Sequence, residues 1–156
     1  MIRRAVGVIA TQGRRVLLVY KVKASDFTSG AESIPGEWDF PKGGIKPSES
    51  DLEGVAMREL REETGSTQYR IIRAFSERIS FTFPPTVQEK LGYQRQETVM
   101  FHAEYQGDGS DLHPHDEEIA KTCLVSFEEA LALLAHQESR DFFAHVFLSA
   151  TPSDLR

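Results

Sequence analysis

Three carboxylates and a guanidinium crowd into six residues, at Arg58, Glu59, Glu62 and Glu63. At 100° per residue from Ser50, Glu59 and Glu63 share a helical sector with Leu52, Val55 and Ala56, and Glu62 lies beside them. The apolar members of that sector mark the face that should meet a core. Carboxylates aimed the same way repel one another by a few tenths of a kcal/mol at this spacing, and partial burial raises the cost. A cation among them offsets both penalties. Oxygen donors suit Mg²⁺ or Mn²⁺ better than zinc. Arg58 and Arg61 flank the group and can orient or partly neutralise it. The plain alternative is a solvated acidic helix end.

The preceding Lys42-Gly43-Gly44 lets backbone amides and one ammonium approach an anion closely. Gly-rich loop, helix start and carboxylate cluster follow one another within residues 42–66. Together they suit a phosphate-bearing anion bridged to the carboxylates by divalent cations. Cations on phosphate oxygens offset the charge that builds in the transition state, and a bound metal lowers the pKa of water. A free carboxylate within reach can take the proton.

Residues 43–66 resemble the Nudix box, G-x5-E-x7-R-E-U-x-E-E-x-G-U with U apolar. Arg58, Glu59, Leu60, Glu62, Glu63 and Gly65 fill every fixed position of its second half. The first half departs. Counting back from Arg58 puts Gly44 on the glycine and Ser50 on the first glutamate. Counting forward from Gly43 puts Glu49 there and leaves one extra residue before Arg58. Ser66 stands where the pattern ends on an apolar residue. Trp38–Gly44 is similar to the lead-in of dinucleoside polyphosphate hydrolases and RNA 5′-pyrophosphohydrolases. So are Gly92-Tyr93-Gln94-Arg95-Gln96 and Glu118, six residues before Leu124.

The resemblance implies an α/β fold, the Nudix-type α/β/α sandwich with a mixed β-sheet. It implies attack of water on a phosphorus of a nucleoside diphosphate linked to another group. The first substrate expectation is a dinucleoside polyphosphate such as diadenosine tetraphosphate. The alternatives are an RNA 5′-triphosphate or a nucleoside triphosphate. A non-catalytic nucleotide-sensing domain is the reading of another class. The implied metal ligands, for Mg²⁺ or Mn²⁺, are Glu59, Glu62, Glu63 and Glu118. Arg58 completes the catalytic set by orienting a carboxylate. Asp116 and Glu117 neighbour Glu118 and compete for its role. Lys42, Gly43, Gly44, Tyr93 and Arg95 are the substrate-binding expectations.

A base would also want an aromatic face. Trp38, Tyr20, Phe83 and Tyr93 are candidates, each with a packing role as the plain alternative. Arg78 and Lys90 could meet a polyphosphate tail. His113, His115 and Asp116 match no trusted zinc spacing. His102 reads as structural or exposed, and His136 and His145 as helix surface.

The elements that would position these residues follow from periodicity. Residues 5–11 and 15–21 read as strands joined by a turn at Gln12-Gly13. Residues 22–36 read as a loop, 37–40 as a short extended piece, and Pro41–Gly44 as its break. Ser50 and Glu53 have capping-box spacing, and the helix should run to about Thr64 with Gly65 just beyond. Residues 69–79 and 94–106 read as strands separated by a loop at 84–92. A loop over 107–118, a strand over 120–126 and helices over 127–136 and 139–150 complete the chain.

With 156 residues the chain reads as one domain over 1–156, able to bury about 70% of its unfolded surface. No apolar run is long enough to span a bilayer, and no signal peptide is expected. The single cysteine, Cys123, reads as a core thiol in a cytoplasmic protein. The formal net charge is −6, which disfavours binding long nucleic acid through bulk charge but admits an RNA 5′ end. The expected partner is a small nucleotide, and the expected state is a monomer or homodimer.

Overall fold

The computed structural model describes residues 1–22, 36–114 and 119–148. Strand β1 (Ile2–Gln12) turns at Gly13-Arg14 into β2 (Arg15–Lys21). Gly13 has φ +62°, a left-handed value that favours glycine in a two-residue hairpin. The paired register of β1 and β2 covers only Thr11–Val16 and Gln12–Arg15. Beyond it the strands part. β1 runs parallel to β6 (Arg95–Tyr105) over ten pairs, and β2 runs antiparallel to β7 (Ile119–Ser126). β3 (Glu37–Asp39) adds to β2, β4 (Lys42–Gly44) to β1, and β5 (Tyr69–Thr82) to β6, all antiparallel. The result is one mixed sheet.

Side chains alternate across β1, so each face of the sheet carries its own core. On one face Val6, Val8 and Ala10 pack with Val55, Ala56 and Leu60 of α1 (Leu52–Thr64) and with Tyr69 and Tyr105. On the other face Ile9, Met100, Ile79 and Phe75 meet α3 (Phe127–Leu133), α4 (Gln137–Phe143) and a π-helical turn, Ala144–Leu148. Phe75, Phe127, Phe142, Phe143 and Phe147 form a mutually packed aromatic cluster there. Helices therefore cover both faces, as the α/β/α expectation requires.

Several element boundaries differ from the sequence reading. Lys42–Gly44 does not break the chain but forms β4, because Ala5, Val6 and Gly7 of β1 offer an edge to pair with. Ser50 does not cap α1. Asp51 holds the N-cap position without a side-chain cap bond. The capping box lies instead at Ser126 and Glu129, which open α3. Residues read as a loop at 84–92 contain α2 (Pro85–Leu91), with Pro85 in the first turn, where its missing N–H costs nothing. No residue of α2 is buried, so its apolar pattern carries no helical signal. The expected 127–136 helix stops at Leu133, and α4 starts two residues early. All but the two end residues of the expected loop over 22–36, residues 115–118 and the end of the last helix fall outside the described residues.

Candidate functional site

The parting of β1 and β2 places β4 and the C-terminal half of α1 at the mouth of a cleft of about 420 Å³. Glu59 and Glu63 come from α1, Lys42 and Gly43 from β4, Asp39 from β3 and Lys21 from β2. Arg3, Ile79, Phe81, Gln96 and Ser139 also line the cleft, as do Glu138 and the pair His136 and Glu37, 2.9 Å apart.

Glu59 and Glu63 are each only 5% exposed, as buried as the apolar residues one turn before them. The solvated-helix alternative therefore fails for these two. Glu62 is different, with its side chain 39% exposed at the rim. Burial pushes the Glu59 carboxyl above its ordinary range. Arg58 opposes that shift and the neighbouring Glu62 adds to it.

Glu63 Oε1 accepts from the backbone N–H of Lys42 at 3.2 Å and lies 3.5 Å from Lys21 Nζ. Lys21 also donates to the Lys42 carbonyl at 3.2 Å. Lys21 is thus a site residue that sequence reading missed; its only signal was a charge ending an apolar strand. The Lys42 ammonium lies 2.7 Å from the buried Asp39 carboxylate, so it is tied down beside the cleft.

Gly43 passes directly over Glu59, and a Cβ there would overlap the carboxylate. Gly44 lies beside Arg3, where a Cβ would come within 2.8 Å of the guanidinium. The glycines are needed for close approach rather than for unusual torsions. Just past the C-terminus of α1, Gly65 takes φ +84° and packs against the His113 carbonyl.

Arg58 gathers the box. Its Nη1 donates to Glu59 at 2.9 Å and Glu62 at 3.2 Å, and its Nη2 reaches the Gly44 carbonyl at 3.3 Å. Glu49 accepts from its Nε and Nη2, and the shared bonds hold the Glu49 carboxyl below its ordinary range. Ser66, at the box's last position, is buried. Its hydroxyl donates to Asp111 and accepts from the Gln68 N–H. A polar residue is tolerated there because its hydrogen bonds are satisfied.

Other expected residues lie elsewhere. Gln96 faces the cleft, so its strand neighbours Arg95 and Glu97 project from the opposite side, where they pair at 2.9 Å. Arg95 is therefore not brought to the carboxylates, and Tyr93 does not line the cleft. Arg78 pairs with Glu97. Tyr20 and Trp38 pack on each other at 5.0 Å between ring centroids, and Phe83 packs on Phe81 at 5.1 Å. His102 is structural: it hydrogen-bonds Thr11 and packs between Phe75 and Phe147. Cys123 is half-buried against the core. Glu118, Glu117, Asp116 and His115 lie outside the described residues.

The donors at the cleft mouth are carboxylate oxygens, which fit a hard divalent cation. A buried carboxylate pushed towards its neutral form is also one that a cation would re-ionise. Among the described residues no three acidic, histidine or cysteine side chains already form a complete metal cage.

An α/β/α sandwich with buried glutamates under a Gly-Gly strand defines the class, and the family follows. The chain belongs to the NUDIX family, whose domain model matches residues 1–146. It is 38% identical over 72 residues to an RNA pyrophosphohydrolase of Nitratiruptor sp., covering 46% of each chain. The chain spans less than half the length of several curated relatives that it matches at 35% identity or more. Its fold is shared with the E. coli dihydroneopterin triphosphate pyrophosphohydrolase, at a TM-score of 0.71 and 17% identity, over 94% of this chain and 96% of that one. A C. elegans Ap4A hydrolase binary complex gives a TM-score of 0.66 at 18% identity, over 90% and 92%.

Proposed function

We propose that the protein is a divalent-metal-dependent pyrophosphohydrolase. It cleaves the anhydride of a nucleoside diphosphate linked to another group, with dinucleoside polyphosphates such as diadenosine tetraphosphate as the first substrate class. The observation that carries this reading is the pair of buried carboxylates, Glu59 and Glu63, set against the β4 backbone at the mouth of an open cleft.

Glu59 and Glu63 would hold Mg²⁺ or Mn²⁺, with Glu62 at the rim and Glu118 as the expected further carboxylate. The cation supplies charge neutralisation at phosphate oxygens and a lowered pKa for water. Arg58 keeps Glu59 and Glu62 in place through the bonds described above. Lys42 and Lys21 set the positive side of the site. A phosphate oxygen would compete with Asp39 for the Lys42 ammonium, 2.7 Å away. The absence of a side chain at Gly43 lets the Glu59 carboxylate lie directly against β4.

A second reading is removal of pyrophosphate from an RNA 5′ end. It is favoured by the name of the Nitratiruptor relative and opposed by the net charge of −6. Chromatography of products after incubation with diadenosine tetraphosphate and Mg²⁺ separates the readings. ATP plus AMP supports the dinucleotide reading, and ADP alone keeps the substrate with a symmetric cut. Product only from 5′-triphosphate RNA or from nucleoside triphosphates moves the substrate class. Nucleotide binding without product from any of them leaves a sensing domain.

A further inference from the structure

Glu63 already has a cation beside it, and that cation is part of the chain. Lys21 Nζ lies 3.5 Å from Glu63 Oε1 and donates to the Lys42 carbonyl at 3.2 Å. Strand alternation puts it there. Leu17 packs into the core shared with α1, and Lys21, further along β2 at an even spacing, takes the same face. Its charge also bears on Glu59, where it opposes the upward push of burial. The other nearby cations are engaged, the Lys42 ammonium by Asp39 at 2.7 Å and Arg58 by Glu49, Glu59 and Glu62.

The two partners of this pair differ in their access to water. The Glu63 side chain is 6% exposed and that of Lys21 26%. An ammonium on a flexible stem can return to water at small cost, whereas a buried carboxylate left without a countercharge is expensive. A divalent cation at Glu63 removes that obstacle, since it supplies the countercharge itself. It also repels the ammonium, because like charges close together in a half-buried site interact strongly. The two cations therefore compete for one carboxylate.

We infer that Lys21 is a positioning residue that holds the Glu63 carboxylate in the metal-free protein, gives it up to the incoming cation, and so sets the affinity of the site for metal. This rests on the reading of Glu63 as a metal ligand. Having yielded Glu63, Lys21 keeps its bond to the Lys42 carbonyl and stays at the cleft mouth. Losing its charge should therefore tighten metal binding, the opposite of what loss of a merely structural contact would do.

The test is Mn²⁺ binding without nucleotide, read as loss of the free-ion electron spin resonance signal, so that no turnover is needed. Lys21→Met keeps most of the stem and removes the charge. It should bind Mn²⁺ about tenfold more tightly than wild type, while Lys21→Arg, which keeps the charge, should stay within about threefold. The metal-free melting temperature of Lys21→Met should fall, and Mn²⁺ should raise it by more than it raises that of wild type. Lys21→Gln, a second charge-free variant, should show the same tightening and serves where Lys21→Met folds poorly. Unchanged or weaker Mn²⁺ binding by the charge-free variants overturns the inference. So does a tightening that Lys21→Arg shares, because charge is then not its cause. Glu63→Gln separates these failures from failure of the underlying reading. It should weaken Mn²⁺ binding strongly, and equal binding by wild type and Glu63→Gln removes Glu63 as a ligand and the inference with it.

Discussion

Glu49 grips Arg58 through two near-parallel hydrogen bonds, 2.7 Å from Nε and 2.8 Å from Nη2. Such a fork fixes the plane of a guanidinium as well as its position. The geometry supports the count forward from Gly43. Glu49, not Ser50, bonds Arg58, and the extra residue then falls between them, within 50–57. Ahead of that stretch the Lys46 N–H donates to the Glu49 carboxylate and the Glu49 N–H to the Lys46 carbonyl. Glu49→Gln turns one acceptor into a donor opposite Arg58. It should lower kcat about tenfold with little change in KM, the usual scale for a group that orients a ligand-bearing residue. Ser50→Ala should leave both constants unchanged. Steady-state kinetics on the two variants checks this, and the reverse ranking would return the role to Ser50.

Glu63 is held from two sides, by the Lys42 N–H and by Lys21. Glu63→Gln keeps the size of the side chain and an acceptor oxygen but removes the charge a cation needs. Turnover should fall at least about a hundredfold, while the melting temperature changes by little. The check is product formation across a Mg²⁺ titration beside thermal unfolding of the same samples. Near-normal turnover would refute Glu63 as a metal ligand.

The carboxylate side of the cleft was legible in the chain because it is local. One helix carries Glu59 and Glu63, and its period puts them on the face of Val55 and Ala56. Both proved buried there. The strand order and the Arg3–Gln96 part of the cleft were not legible, because they depend on long-range pairing. Arg3 meets Gln96 only because β1 runs parallel to β6, with Arg3 opposite Gln96 in the register. Arg95 lies away from the cleft for the same reason. A motif places a residue in sequence, but strand alternation decides which face receives it. β4 read as a break because its two glycines are poor strand formers alone; a pre-existing β1 edge overrides that preference.

Gly43 tests how tightly β4 and α1 are matched. A Cβ at this position would overlap the Glu59 carboxylate, so Gly43→Ala must displace Glu59 or push β4 away from α1. Its backbone torsions are not in the left-handed region, so the substitution carries no conformational penalty of its own. Activity should drop roughly ten- to a hundredfold and the Mg²⁺ concentration for half-activity should rise. Gly13→Ala, at a φ of +62° with nothing near its Cβ direction, is the contrasting control. It should cost stability, by about 1 kcal/mol, and leave activity intact. Kinetics and denaturant unfolding of the pair measure the two effects separately.

Asp111 joins three segments. It accepts from the Ser66 and Tyr105 hydroxyls and from the Gln68 amide, which ties the end of α1 and the start of β5 to the loop after β6. These bonds hold its carboxyl down to about 2. A depressed acid stabilises the fold fully above its unfolded pKa of about 3.9 and loses that contribution as pH falls through the folded value. The loss should therefore fall between about pH 4 and pH 2. Partial exposure and solvent screening reduce it to on the order of 1 kcal/mol. Asp111→Asn should be less stable than wild type at pH 7, with the gap narrowing steadily below pH 4. Urea unfolding of both proteins at pH 7, 4, 3 and 2.5 follows that difference. A gap that stays constant across this range would show that the Asp111 charge contributes nothing to holding the three segments together.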